Sequence, residues 1–210
     1  MTDKLTDKSV AEFTEALSAK VSVPGGGGAA ALAGALGVSL CAMAGQFTLG
    51  KKKYAAYEED IRGMLDKAED LRQRFLRLVE DDAAAFEPLS KAYRVPKDDP
   101  GRAEILEKAT AGACAAPLKM LGACAESVEL LEEMAEKGSV MMLSDVGCGA
   151  LLCRAGIESA AMNVYINTGA LKDRTMAEEF DKRTGAVLSE YAPRAEALAR
   201  RVMDKLRGKG

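Results

Sequence analysis

Residues 24–50 read PGGGGAAALAGALGVSLCAMAGQFTLG, and this stretch decides the fold. Its alanine-rich composition predicts a helix over residues 29–48, despite the glycines. Small side chains recur at spacings of three and four, which places them on one face: Ala30, Gly34, Gly37, Cys41, Gly45 and Thr48. Another helix can approach such a face closely, so we expect this helix to lie inside a helical assembly.

A membrane-spanning helix is the alternative interpretation, because residues 21–50 carry no charge and are numerous enough to cross a bilayer. Glycine and alanine contribute little transfer free energy, and Ser39 and Gln46 interrupt the apolar run. We therefore expect no second span and no membrane partner. Because small side chains bury little area each, burial of this helix favours a homodimer as the smallest assembly.

Capping and periodicity signals predict further helices on both sides of this stretch. Ser9 and Glu12 match a capping box, and Pro117 predicts a bend in a later helix. The further helices are predicted at about residues 9–18, 57–93, 102–136, 144–167 and 173–206. The expected fold class is all-α: a single up-and-down helical bundle of about six helices, dimeric, with residues 1–210 forming one domain.

The composition excludes several classes of protein. A net charge of −3 argues against a nucleic-acid partner. The opening MTDKLTDK lacks the apolar stretch of a signal peptide, which favours a cytoplasmic location. The five cysteines lie in apolar surroundings, so buried thiols are expected rather than disulfides or zinc ligands. The absence of histidine excludes His-activated nucleophiles and His-ligated metals, so acid–base chemistry must use Asp, Glu, Lys, Tyr or Cys.

Two segments at the ends of the predicted second helix are candidates for ligand binding. At its start, four backbone N–H groups can hold an anion or a planar polar ligand, and a flexible connector is the alternative. These N–H groups belong to Gly25, Gly26, Gly27 and Gly28. At its end, three lysines favour the helix dipole as a solvated cluster, or else bind an anionic ligand tail. The lysines are Lys51, Lys52 and Lys53.

Asp82 is the candidate for catalysis. Positions 61, 68, 75, 82 and 89 read Ile, Ala, Phe, Asp and Leu, so Asp82 interrupts an apolar stripe. A carboxylate on a buried face has its pKa raised by desolvation, toward a value useful for proton transfer. A structural carboxylate, paired with a lysine or arginine of another helix, is the alternative.

One face of the predicted helix 144–167 is polar. Asn163 and Asn167 lie one turn apart and can together hydrogen-bond a heterocycle. Asp145 is a candidate ligand-binding residue or a helix cap. Asp145 and Asn163 are about 27 Å apart along a helix, so they serve opposite ends of a long ligand or different sites.

Five segments resemble one protein family in content, order and spacing. They are PGGGGAAALAGALG (24–37), GKKKY (50–54), DDAAAF (81–86) with AYRVPK (92–97), SDVGCGALL (144–152) and AAMNVYIN (160–167). They are similar to the methenyltetrahydrofolate cyclohydrolase and formimidoyltetrahydrofolate cyclodeaminase family, over about residues 13–173. The chain departs from the family in a shorter segment after Pro96-Lys97 and in Met141-Met142-Leu143, where polar residues are common.

The resemblance implies an all-helical homodimer, with a site near the subunit interface for a folate that carries one or several glutamates. The chain length, the four glycines and GKKKY favour a cyclohydrolase, which hydrates 5,10-methenyltetrahydrofolate to 10-formyltetrahydrofolate. A cyclodeaminase, which releases ammonia from 5-formimidoyltetrahydrofolate, and a folate-binding module without activity are the alternatives.

For the cyclohydrolase reaction, Asp82 is expected to stabilise the cationic substrate and shuttle a proton, while Lys52 tunes Asp82 or orients water. Binding of the pterin and glutamate parts is expected from Gly25–Gly28, Lys51, Lys53, Asp145, Asn163 and Asn167. No metal or other cofactor is needed for this chemistry.

Overall fold

The structure, a computed structural model, describes residues 4–208. These residues form helices and connecting turns without a strand, which confirms the predicted all-α class. The α-helices are α1 (Val10–Ser18), α2 (Gly26–Gln46), α3 (Glu58–Ala92), α4 (Arg102–Ala113), α5 (Ala115–Lys137), α6 (Leu143–Thr168) and α7 (Arg174–Leu206). Short 3-10 helices cover Leu5–Asp7, Lys52–Tyr57 and Val140–Met142.

The long helices pack as an up-and-down bundle. Ion pairs join Asp60 to Lys137 and Arg74 to Glu126, so α3 and α5 run antiparallel. α2 packs against α3, α5 and α6, and α6 packs in turn against α5 and α7. The main apolar core draws side chains from every α-helix except α4. All five cysteines are free thiols, as expected; four of them are buried, whereas Cys148 is exposed, so the expectation of a buried thiol is wrong there.

The small residues of α2 allow the predicted close approach, and the helix that approaches is α6 of the same chain. A Cβ on Gly37 would lie 2.9 Å from the carbonyl oxygen of Gly149, and a Cβ on Gly149 would lie 2.8 Å from that of Gly37. Such distances are too short for a side chain at either position. Much of α2 is therefore buried within one chain, without a partner.

The predicted helix 102–136 is two helices, α4 and α5, which meet at Cys114. The reason is Pro117, which has no N–H and whose ring would clash with the carbonyl of Ala113 in a continuous helix. With the break at Cys114, Pro117 lies in the first turn of α5, where proline is tolerated. The helix therefore ends and restarts rather than bending at the proline.

A second, smaller apolar core joins α4 to the end of α3. It consists of Leu89, Ala92, Ala109 and Ala113. Because Asp82 of α3 contacts Gly27 in the first turn of α2, the last part of α3 extends beyond the start of α2. The ends of α2, α3 and α6 and the α4–α5 junction thus meet at one end of the bundle.

Two helical segments are long and apolar enough to cross a bilayer by length and composition. They are Gly26–Gln46, with a mean hydropathy of 1.7, and Val140–Thr168, with a mean hydropathy of 1.5. The expectation that no second candidate would follow α2 is therefore wrong. About half of each segment is buried inside the bundle, as for core helices of water-soluble proteins, so the pattern is weak support for a membrane location.

Candidate functional site

A cavity of about 180 Å³ lies where the helix ends meet. Its wall includes six residues singled out from the sequence: Gly25, Gly26, Gly27, Asp82, Asn163 and Asn167. Complete sites for small molecules usually measure about 300–1,000 Å³. The cavity therefore accommodates one end of a ligand rather than a whole ligand of folate size.

The glycines form the first turn of α2 rather than a loop before it. Gly25 is the N-cap, and Gly26, Gly27 and Gly28 are helical. The alternative of a flexible connector is therefore wrong for Gly26–Gly28. Glycine is unfavourable in a helix, but Gly27 is required here because a Cβ would overlap the Asp82 carboxylate. α2 starts at Gly26, three residues earlier than propensity predicts, and the contact with Asp82 explains the glycine at position 27.

Asp82 lies on the N-terminus of α2 and faces the cavity. Its half-buried carboxylate accepts a hydrogen bond from the Gly28 N–H. Burial raises the pKa of the Asp82 carboxyl above its ordinary value, and the hydrogen bond from Gly28 opposes that rise. No basic side chain of residues 4–208 contributes to this pKa, which disfavours the alternative of a structural ion pair within the chain.

Asn163 and Asn167 line the opposite wall of the cavity, one turn apart on α6. The Asn163 Nδ2 donates to the Ser159 carbonyl at 2.8 Å, and the Asn167 Nδ2 donates to the Asn163 carbonyl at 2.9 Å. The Asn167 Nδ2 also lies 3.4 Å from the carbonyl of Ala113, across the α4–α5 junction. The two amides are thereby fixed in orientation beside Gly26 and Asp82.

The three lysines lie at the other end of α2, so they are not beside the glycines of the same chain. The 21 residues of α2 span about 30 Å. Lys51 Nζ bonds the Ser139 Oγ at 3.1 Å, Lys52 is exposed, and Lys53 Nζ lies 5.5 Å from the centre of the Tyr54 ring. The lysines lie beyond the end of α2. Gly50 turns the chain with φ +72°, and Lys52 and Lys53 begin the next 3-10 helix.

Asp145 also lies away from the cavity. It is the third residue of α6, which begins at Leu143 after a 3-10 turn and has Met142 as its N-cap, so the interpretation of Asp145 as a cap is wrong. Its half-exposed carboxylate lies in the first turn, where the helix dipole favours it. The separation of Asp145 from Asn163, predicted from helix length, is confirmed by the unbroken helix α6.

Tyr54 and Ser139 join the lysine end and were not predicted from the sequence. The Tyr54 hydroxyl oxygen accepts a hydrogen bond from the Val140 N–H at 3.1 Å, which lowers the Tyr54 pKa. The Ser139 N–H donates to the Thr48 Oγ1 at 2.8 Å. The only signal for Tyr54 was its position next to the lysines, and nothing near Ser139 in the sequence indicated its contact with Lys51.

Together, these features define an all-helical protein with a cavity lined by a carboxylate and two amides at one end of the bundle. The model of the formiminotransferase-cyclodeaminase family matches residues 9–186. The chain therefore belongs to this family, as the sequence motifs predicted.

Individual relatives support the same assignment. The chain is 37% identical to a methenyltetrahydrofolate cyclohydrolase of Methylorubrum extorquens, over 97% of this chain and 98% of that protein. It is 30% identical to mouse formimidoyltransferase-cyclodeaminase, over 91% of this chain but 36% of the mouse protein. A crystal structure of a Thermotoga maritima formiminotetrahydrofolate cyclodeaminase superposes with a TM-score of 0.83 at 28% identity, over 97% of this chain and 98% of that one.

Proposed function

We propose that the chain is a methenyltetrahydrofolate cyclohydrolase, which converts 5,10-methenyltetrahydrofolate and water to 10-formyltetrahydrofolate. The observation that carries the proposal is the Asp82 carboxylate, half-buried and directed into a cavity without a basic partner among the described residues. Such a group stabilises a positively charged substrate and exchanges protons with it. The relative in Methylorubrum extorquens, matched over nearly its whole length, favours the cyclohydrolase reaction.

The reaction needs a group that tolerates both protonation states. Water adds to the methenyl carbon between N5 and N10, and the cation becomes a neutral hydroxyl adduct as one proton leaves. The bond from this carbon to N5 then breaks, N5 gains a proton, and the hydroxyl loses its own as the formyl C=O forms. Asp82 accepts and returns the proton in these steps, since its raised pKa brings it closer to neutral pH.

No metal or redox cofactor is part of the proposal. The formyl carbon keeps its oxidation state throughout, and the substrate carries its own positive charge. Water is therefore the only co-reactant.

A second copy of the chain supplies the rest of the site. The outward sides of α2 and α6 expose large apolar side chains, and we call this surface the α2–α6 face. It includes Leu36, Phe47, Leu151, Met162 and Ile166, whose exposed fractions run from 45% for Leu151 to 73% for Ile166. Exposed apolar surfaces of this kind are typical of subunit interfaces. Ile166 also lines the cavity, so a copy on this face would border the site.

The charges at the two ends of α2 determine the orientation of the second copy in the proposed dimer. The cavity end carries Asp82, whereas the far end of α2 carries Lys51, Lys52 and Lys53. A two-fold axis perpendicular to the helices brings the lysine end of one copy to the cavity of the other. Lys52 is then the candidate to tune Asp82 or orient water, while the neighbouring Lys51 and Lys53 bind the carboxylates of the glutamate part of the folate.

A cytoplasmic location is part of the proposal. A second copy on the α2–α6 face covers the outward sides of both candidate membrane spans. The charged outer surfaces of α3 and α7 carry many ion pairs, which suits a protein surrounded by water.

The test is the absorbance of 5,10-methenyltetrahydrofolate with purified protein, in a buffer in which spontaneous hydrolysis is slow. The proposal predicts loss of the methenyl chromophore in proportion to protein concentration. Formation of this chromophore from 5-formimidoyltetrahydrofolate, with ammonia release, would instead identify a cyclodeaminase, which the Thermotoga maritima structure supports. Binding of folate without either reaction would leave the binding-module alternative.

A further inference from the structure

The hydrogen bonds of Asn163 and Asn167 determine which atoms they offer to a ligand. Each Nδ2 is directed at a backbone carbonyl, that of Ser159 at 2.8 Å and that of Asn163 at 2.9 Å. A carbonyl oxygen can only accept a hydrogen bond, so the donating Nδ2 must face the helix. The acceptor Oδ1 of each amide is thus directed away from the helix backbone, and Asn167, whose Nδ2 meets two carbonyls, offers a ligand only its Oδ1.

The amides have little freedom to reverse this orientation. The Asn163 amide lies beside Gly26 in the first turn of α2, and a reversed amide would place its Oδ1 against the Ser159 carbonyl oxygen, where two acceptors repel. The Asn167 amide is held from two sides, because its Nδ2 also lies 3.4 Å from the Ala113 carbonyl.

Three side chains therefore present acceptor oxygens to one cavity: Asp82, Asn163 and Asn167. Such a set binds N–H donors and repels groups that offer only acceptors. Of the two ends of a reduced folate, the pterin carries the donors, in its 2-amino group and ring N–H groups. The glutamate end carries carboxylates, which the Asp82 charge disfavours.

We propose that Asn163 and Asn167 are specificity-determining residues that accept hydrogen bonds from the 2-amino group and a neighbouring ring N–H of the pterin. This inference rests on the proposed function, since it takes a reduced folate as the ligand. It orients the ligand with the pterin in the cavity and the glutamate end directed out of it.

The test compares the binding of 5-formyltetrahydrofolate and of its 2-desamino analogue by isothermal titration calorimetry. The wild-type protein should bind the amino compound about 10- to 100-fold more tightly, because the analogue leaves a buried acceptor unpaired. In Asn167→Leu, which has nearly the same size but no acceptor, this preference should fall below about 3-fold. Asn167→Gln is the matched control and should keep the preference, because it retains both an amide donor for the backbone carbonyls and an acceptor for the ligand.

Asn163→Leu provides an independent measurement should Asn167→Leu fail to fold, as judged by circular dichroism. An unchanged preference in the leucine variants would overturn the inference, as would a wild-type protein that binds neither compound. Because binding is measured without turnover, the two proposals fail separately. An Asn-dependent preference without loss of the methenyl chromophore would overturn only the cyclohydrolase assignment.

Discussion

The carboxylate of Asp82 lies against the α-carbon of Gly27, so closely that a Cβ at position 27 would overlap it. The next residue, Gly28, donates its N–H to the same carboxylate. The Asp82 side chain of α3 thereby lies at the N-terminus of α2, where the helix dipole favours its negative charge. Burial acts in the opposite direction, and the pKa of Asp82 is raised overall.

Gly27→Ala should displace this carboxylate. We expect kcat for methenyltetrahydrofolate hydrolysis to fall by at least about 10²-fold, since a shift of about 1 Å at a reacting group has effects of this size. Gly63→Ala is the control, because a Cβ there meets open space on an exposed part of α3. That variant should keep wild-type kcat and gain about 1 kcal/mol in free energy of unfolding. A Gly27→Ala enzyme with wild-type kcat would contradict the placement of Asp82.

Asp82→Asn should abolish proton transfer without harming the fold. We expect kcat to fall by about 10²- to 10⁴-fold, with the melting temperature unchanged or higher, because the ionised Asp82 is disfavoured by burial. Asp81→Asn is the matched control, since Asp81 is the exposed neighbour of Asp82 and does not line the cavity. Equal losses in both variants would argue against a specific role for Asp82.

The pH dependence of the free energy of unfolding should distinguish protonated from ionised Asp82. Burial raises the pKa of Asp82 in the folded chain above its ordinary value, so the folded state binds this proton more tightly than the unfolded state does. Stability relative to Asp82→Asn is therefore greatest below the unfolded pKa and falls as pH rises to the folded pKa. Urea unfolding of both proteins across this range measures the difference. A difference that grows with pH would mean that the pKa of Asp82 is lowered instead.

Activity should follow the ionised form of Asp82. As pH falls through its raised pKa, the carboxylate is protonated and can no longer accept the proton from water. The acid limb of the kcat profile should thus lie above the ordinary range of aspartate pKa values. An acid limb at or below the ordinary aspartate pKa would assign that limb to another group.

The sequence was sufficient to predict the helices whose apolar stripes are regular. The predicted helix 57–93 is α3, Glu58–Ala92, and the predicted helix 173–206 is α7, Arg174–Leu206. The same regularity indicated Asp82, because a carboxylate within an apolar stripe is unfavourable unless it has a partner or a function. Its contact with Gly27 could not be predicted, since it depends on how α2 and α3 pack.

Two errors arose because the ends of α2 were predicted from local sequence signals alone. Propensity placed the start of α2 after the glycines, although tertiary contact with Asp82 makes glycine favourable there. The single ligand site to which the lysines and the glycines were both assigned does not form within one chain, because the 21 residues of α2 separate the two groups by about 30 Å. That distance was available from the predicted helix itself.

Leu36→Asp should dissociate the proposed dimer into monomers. Leu36 is 51% exposed on the α2–α6 face, and a carboxylate buried there without a partner would oppose association. We expect a monomer by analytical ultracentrifugation, with helical content retained and activity lost. Val10→Asp is the control, because Val10 is 81% exposed on α1, outside this face. A Leu36→Asp protein that keeps the wild-type oligomeric state would exclude the α2–α6 face as the interface.

A heterodimer of two inactive chains should regain activity if each site is shared between copies. One chain carries Asp82→Asn, and the other replaces Lys51, Lys52 and Lys53 with glutamine. In an antiparallel dimer, one site then combines both defects, whereas the other combines an intact Asp82 with intact lysines. Purified through two different affinity tags, this heterodimer should show about half of wild-type kcat per dimer, and each parent homodimer almost none. If Asp82 and the lysines acted within one copy, every site would be defective and the heterodimer would be as inactive as its parents.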